Sequence, residues 1–186
     1  MSTTNTIQEI RKKLYLLRDG ASSASMRNKG LQYKVNWGVQ VTKLRALAKE
    51  YYPDTELAEE LWEQETRELK ILATLIANPT DFSSTKEWVN SINTGELAEQ
   101  AVFNLFSNLP DASHYAQEWI QSTNPYIRLS GFLLYIRLFI GGYKMSVPEE
   151  KTFLSIATAN LDNSELGLNQ RILNALYYLE ELRDEN

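Results

Sequence analysis

The sequence predicts an all-α protein, a divergent solenoid of antiparallel helix pairs forming one domain over residues 1–186. Apolar residues recur at three- and four-residue spacing along most of the chain, and no segment sustains the alternation that a strand requires. Breaks at Pro, Gly and Asn-Pro fall mostly about 15 to 30 residues apart, room for one or two helices each. Helices of this length cannot bury their apolar stripes alone, so each must stack on a neighbour. A compact irregular helical bundle is the second architecture that the pattern allows.

Taken in order, the first helix is expected over 5–18 and ends at Asp19-Gly20. Its charges at Glu9, Arg11, Lys12 and Lys13 interrupt the apolar residues, which makes it neither a signal peptide nor a membrane span. A helix over 22–34 follows, then Asn36, then a helix over 39–52 in which Val39, Leu44, Leu47 and Ala48 share one face. Pro53 stops it, and Asp54 or Thr55 can accept the first free N–H groups of a helix over 55–63, whose buried stripe is Leu57, Leu61 and Trp62. In 66–77 the stripe is Leu69, Leu72, Ala73 and Ile76, ended by Asn78-Pro79. Further helices are expected over 84–92, 95–107, 111–122, 125–140, 148–160 and 166–183, divided by Asn93-Thr94-Gly95, Asn108-Leu109-Pro110, Asn124-Pro125, Gly141-Gly142 and Pro148. The longest apolar tract, Leu129 to Ile140, is broken by Arg137 and too short to cross a bilayer.

At 186 residues with 43% hydrophobic and 23% charged residues, the composition is that of an ordinary soluble globular protein. Cysteine is absent, which excludes disulfides, thiolate nucleophiles and Cys-ligated zinc and is consistent with a cytoplasmic location. The net charge of −5 is unevenly spread: residues 1–50 carry ten Lys and Arg against three acids, +7, so the remaining 136 carry −12. Such a basic end can meet phosphate, although charge runs are also commonly no more than solvated helix faces.

Most familiar chemistries lack parts. His114 is the only histidine and is expected to face solvent, so no His-based metal site or Ser-His-Asp triad can be assembled. Neither a G-x-G-x-x-G nor a Walker phosphate loop occurs, and no cofactor or metal is expected. The acid pairs Glu59-Glu60, Glu149-Glu150 and Glu180-Glu181 are sequence neighbours that point about 100° apart on a helix, and they read as solvated faces. Trp62, Trp88, Trp119, Phe103, Phe106, Phe132, Tyr135 and Phe139 sit at helical spacing and read as core, whereas Trp37 beside Gly38 is the aromatic least expected to be buried.

Several of these motifs together resemble the DNA alkylation repair family, alkylpurine DNA glycosylases built from HEAT-like, armadillo-like helical repeats. The residues that carry the resemblance are Gly38-Val39 followed by Leu44-Arg45, then Glu56-Leu57-Ala58 with Leu61-Trp62, and Glu68 with Ala73. It continues through Trp88-Val89, Asn104-Leu105-Phe106 and Trp119-Ile120 up to Asn124-Pro125-Tyr126-Ile127-Arg128, and covers roughly residues 25 to 180. Active members of the family use an Asp one turn after a Trp, an Arg on the next repeat and a second Trp near the C-terminus. Carried onto this chain, the first pair falls on Gly95 and Glu99, so only a carboxylate is kept; counting back from Phe106 without a gap puts Gly95 itself at the Asp position. The family Arg falls on Leu129, one residue beyond Arg128, and the second Trp falls on Ala175, with Asn169-Gln170-Arg171 as its lead-in and Tyr177 and Tyr178 out of register.

The resemblance therefore implies a protein that binds double-stranded DNA, damaged, alkylated or branched, on a concave helical surface. It would either excise no base or act as a weak alkylpurine DNA N-glycosylase through Glu99, which is otherwise a solvated helix carboxylate. Arg27, Lys29, Lys34, Lys43, Arg128 and Arg171 are the expected DNA-binding residues, and Arg128 can equally snorkel over the core from the first turn of its helix. The competing expectation, favoured by a pI near 5.1, is a repeat scaffold that binds a protein or peptide.

Overall fold

The computed structural model describes residues 3–31 and 33–184, and among them the only β-type pairing is an isolated bridge between Val35 and Thr66. The rest is helix and connecting loop, grouped into two compact units, Met1–Ser83 and Ser84–Asn186.

The first unit contains α1 (Thr3–Leu16), α2 (Gly20–Asn28), α3 (Val41–Ala48), α4 (Thr55–Trp62) and α5 (Arg67–Ile76). Helix α2 starts where Asp19 Oδ1 accepts the N–H groups of Ala21 and Ser22 at 3.0 and 3.1 Å. It stops at Asn28, six residues short of the expected end. Gly30, at φ 86°, closes a Schellman turn in which Gly30 N–H donates to Arg27 O at 2.9 Å and Leu31 N–H to Met26 O at 3.0 Å. Asp54 caps α4 by accepting from Leu57 N–H at 2.9 Å, as the sequence suggests. Helices α4 and α5 pack as a pair around Leu57, Leu61, Trp62, Leu69, Leu72 and Ile76, all buried. Each such side chain withdrawn from water contributes about 1.5–3 kcal/mol.

The second unit contains α6 (Thr85–Ser91), α7 (Gly95–Asn104), α8 (Ala112–Trp119), α9 (Pro125–Ile140), α10 (Val147–Ala159) and α11 (Leu168–Asp184), with short 3-10 turns at Phe106–Asn108 and Glu165–Gly167. Thr94, Asn124 and Ser146 cap α7, α9 and α10 through their side-chain oxygens. Helix α9 is the axis of this unit: α7, α8 and α11 all pack on it, which is why its sequence is apolar almost all round. Gly131 lets α8 approach closely, since a Cβ there would lie 2.6 Å from Ile120 N and 2.9 Å from the Trp119 carbonyl carbon. Tyr135, Phe139 and Phe153 form edge and stacked pairs with centroids 4.9 to 5.6 Å apart, and Phe106 meets Trp119 edge-on at 5.3 Å.

Two expectations about side chains are corrected. Phe103 is exposed rather than core: the buried stripe of α7 is Leu97, Ala98, Ala101 and Val102, which leaves Phe103 on its flank with the Arg137 guanidinium 5.7 Å from its ring. Glu149, expected on a solvated face, is buried at the start of α10, where the hydroxyls of Tyr135 (3.0 Å) and Tyr143 (2.9 and 3.1 Å) donate to its carboxylate. His114 is exposed, as expected. Among the described residues no helix is long and apolar enough to cross a membrane.

Candidate nucleic-acid interface

In the first unit the expected DNA-binding residues are exposed but not equivalent. Arg27 lies in the last turn of α2, Lys29 is its C-cap, and neither has an ion pair among the described residues. Lys34, in the loop that follows, is paired with Glu65. Lys43 projects from α3 near Asp19, whose carboxyl is held below its ordinary value chiefly by the Ser22 hydroxyl and N–H, with the Lys43 charge adding to the effect.

The loop between α2 and α3 is held from below by a buried ion pair that sequence reasoning missed. Arg67 and Glu68 open α5 and are 1% and 0% exposed. Arg67 Nη1 donates to Glu68 Oε1 at 3.1 Å and to Val39 O at 3.0 Å. The two carboxylate oxygens of Glu68 accept the N–H groups of Val39 and Trp37, each at 3.2 Å. From the other side, Asp19 N–H donates to Trp37 O at 2.8 Å, so the Trp37 backbone is fixed on both faces. Gly38, at φ 72°, has no room for a side chain, because a Cβ would fall 2.1 Å from Asp19 O. The available signal was Glu68 itself, a charge adjoining the apolar stripe of α5 and already part of the family resemblance.

In the second unit the positions inherited from the resemblance do come together, with different occupants. A Cβ on Gly95 would meet only the Leu129 side chain, at 3.8 Å, so the start of α7 faces α9 at the two residues expected to replace the family Trp and Arg. One turn along α7, Glu99 is bound to Arg171 of α11, with side-chain exposures of 31% and 36%. Ala175, one turn beyond Arg171, is fully buried. An indole at that position would have to displace packed core, at about 1–3 kcal/mol or more. Arg128 is elsewhere engaged: its Nε donates to Ser122 O at 2.8 Å and its Nη1 to Asn160 Oδ1 at 3.0 Å. Glu99 and Arg171 are thus in direct contact, and the guanidinium of Arg128 is tied to the chain segments around α9.

Chemically, this places one partly exposed arginine on the helix face together with its own carboxylate. A guanidinium in that setting can exchange the carboxylate for a phosphate, which it binds through the same fork of donors. An acid aimed at a sugar carbon would instead need its charge unneutralised and aromatic planes beside the base. Gly95 and Ala175 supply no such planes.

Comparison with known proteins identifies the fold and the family. No curated protein matches the chain significantly. Among solved structures, one described as "A new family of proteins related to the HEAT-like repeat DNA glycosylases with affinity for branched DNA structures" superposes with a TM-score of 0.76 at 19% identity, over 92% of this chain and 74% of its own. At that identity the likeness establishes the all-α, HEAT-like repeat fold. The sequence profile described as DNA alkylation repair enzyme matches residues 10–172, nearly the full length, so the chain belongs to the DNA alkylation repair family.

Proposed function

We propose that this protein binds damaged or branched double-stranded DNA and releases alkylated bases weakly or not at all. The observation that carries the reading is the Glu99–Arg171 pair: where the resemblance expects an acid between aromatic planes, the carboxylate is neutralised by an arginine, and Gly95, Leu129 and Ala175 complete the substitution. DNA as the partner is supported by family membership and by the branched-DNA affinity attributed to the structural neighbour. The single-domain reading of residues 1–186 belongs to this proposal, as do Arg27, Lys29 and Lys43 as the principal phosphate contacts, with Arg171 joining them only by exchanging Glu99 for a phosphate. Lys34 and Arg128 contribute less, because Glu65 on one side and Ser122 and Asn160 on the other already engage them.

The test is binding to blunt, abasic and branched duplexes over a salt series, beside a base-release assay on alkylated DNA. Neutralising Lys29, Lys34 and Lys43 together should weaken binding similarly for all sequences and flatten the slope of log K against log salt by about 0.9 for each phosphate no longer neutralised. Neutralising Lys86, Lys144 and Lys151 should change little. Absence of duplex affinity at low salt, or identical behaviour of the two triple variants, would favour the second reading, a scaffold for a protein or peptide. That reading draws on Leu173 and Tyr177, exposed one turn apart on α11.

A further inference from the structure

An open groove along α1 is lined by Gln8, Arg11, Lys12, Tyr15 and Leu16 together with Trp37, with a volume of about 430 Å³. That lies within the range of clefts that hold a small ligand or a single nucleotide, roughly 300–1,000 Å³. Its chemistry is aromatic, apolar and cationic at once. Tyr15 is 53% and Leu16 81% exposed, while Trp37 is half-buried with its backbone clamped by Glu68 and Asp19. No carboxylate lines the groove. Arg11 donates to a neutral partner, Gln64 Oε1, at 2.8 Å and so keeps its charge uncompensated, and Lys12 is exposed and feels Glu9 only at a distance, that carboxylate being bound directly to Lys13. Arg18, outside the lining, lies 3.9 Å over one face of the Tyr15 ring. The next lysine, Lys13, differs in each respect: it is bound to Glu9, Glu50 and Tyr51 on another face of α1.

Aromatic planes interleaved with unneutralised cations are complementary to an unpaired nucleotide, whose base stacks while its phosphates meet the charges. A duplex buries its base faces and cannot use the planes; a branch point or frayed end exposes them. We propose that this groove seats an unpaired base of a DNA strand, stacked on Trp37 and Tyr15, with the flanking phosphates on Lys12 and Arg11. The inference rests on the DNA-binding reading above and supplies what that reading lacks, a structural reason to prefer a branched over a blunt duplex. Because the Trp37 backbone is fixed before any ligand arrives, little ordering is left for binding to impose.

The test uses the full chain with three probes: a single-stranded oligonucleotide and a forked duplex, each carrying 2-aminopurine in an unpaired position, and a blunt duplex of the same sequence. Wild-type protein should quench the 2-aminopurine fluorescence. Tyr15→Ala and Trp37→Leu should each weaken binding to the single strand and the fork about tenfold, leaving the blunt duplex within about twofold. Lys12→Gln should weaken all three and flatten the salt slope. Tyr15 is exposed, so its variant remains informative even if Trp37→Leu lowers stability. Blunt-duplex binding without quenching, or variants that bind the fork as wild type does, would overturn the groove and leave the proposed function standing. Failure to bind any of the three probes at low salt would overturn both. If wild-type protein self-associates in sedimentation and Trp37→Leu makes it monomeric without altering DNA affinity, the groove is an interface between copies and the proposal falls.

Discussion

Removing Glu68 should unfold the first unit far more readily than its position at the start of a helix suggests. Glu68→Ala deletes the acceptor for two backbone N–H groups, those of Trp37 and Val39, and the carboxylate that faces Arg67, a guanidinium only 1% exposed. Breaking a buried pair from one side costs about 3–5 kcal/mol, a large share of the roughly 5–15 kcal/mol that holds a typical domain. At about 2–4 °C per kcal/mol for a chain of this size, the melting temperature should fall by roughly 6–20 °C, followed by circular dichroism at 222 nm. The double variant Arg67→Met/Glu68→Gln separates the two contributions. It removes both charges and keeps one amide oxygen, so it should recover most of the loss and retain a deficit of about 1–3 kcal/mol for an N–H left without an acceptor. A Glu68→Ala melt within about 2 °C of wild type would refute the stabilising role of the buried pair. A double variant no better than Glu68→Ala would show that the carboxylate stabilises the protein more by capping the loop than by pairing with Arg67.

Three further outcomes are expected. Glu99→Gln should raise affinity for DNA severalfold by freeing Arg171, and should leave base release at its low level; a loss of affinity, or loss of a robust excision activity, would make Glu99 a functional acid instead. Gly131→Ala should destabilise by about 1–3 kcal/mol, because its Cβ meets backbone at Ile120 and Trp119 that cannot move aside as a flexible side chain would; an unchanged denaturation midpoint would show that α8 can retreat. The Tyr135 and Tyr143 hydroxyls are held above their ordinary value of 10.0, by burial first and then by the Glu149 carboxylate they face. The folded state then retains protons that the unfolded state releases above about pH 10, so this contribution is complete below that pH and is lost as pH rises beyond it. A Tyr135→Phe/Tyr143→Phe variant should therefore lose less stability than wild type between about pH 9 and about pH 11, and parallel stability curves would contradict this.

The helices were legible because short-range physics sets them. Asp19, Asp54, Thr94 and Asn124 can each cap only the residues that follow, and the stripes of α4 and α5 repeat at helical spacing whatever they pack on. The early end of α2 was less legible, since a Gly at position 30 reads equally as a tolerated interior residue until its φ is known. Burial of Glu149 and of the Arg67–Glu68 pair could not be read from spacing, because each depends on partners 6 to 31 residues away, Tyr143, Tyr135, Trp37 and Val39. For the site, the resemblance picked out Gly95, Glu99, Leu129 and Ala175, but the ion pair between Glu99 and Arg171 spans 72 positions and forms only once α7 and α11 have folded onto α9.

If Arg171 meets phosphate as proposed, its pairing with Glu99 should make binding less dependent on salt. Glu99 acts as an internal counterion to Arg171, one whose local concentration is set by the fold and does not change when the buffer is diluted. A phosphate that displaces it releases a cation from the DNA but leaves the Glu99 carboxylate free to take one up, so the net release of counterions is small. Arg171 should therefore add little to binding at low salt, where unpaired lysines are strongest, and lose proportionately less as salt rises. Plotted as log K against log salt, the wild-type curve should be shallower than that of Glu99→Gln, and the two should draw together at high ionic strength. A protein arranged in this way surrenders some affinity for bare duplex and becomes less sensitive to the ionic conditions in which it works.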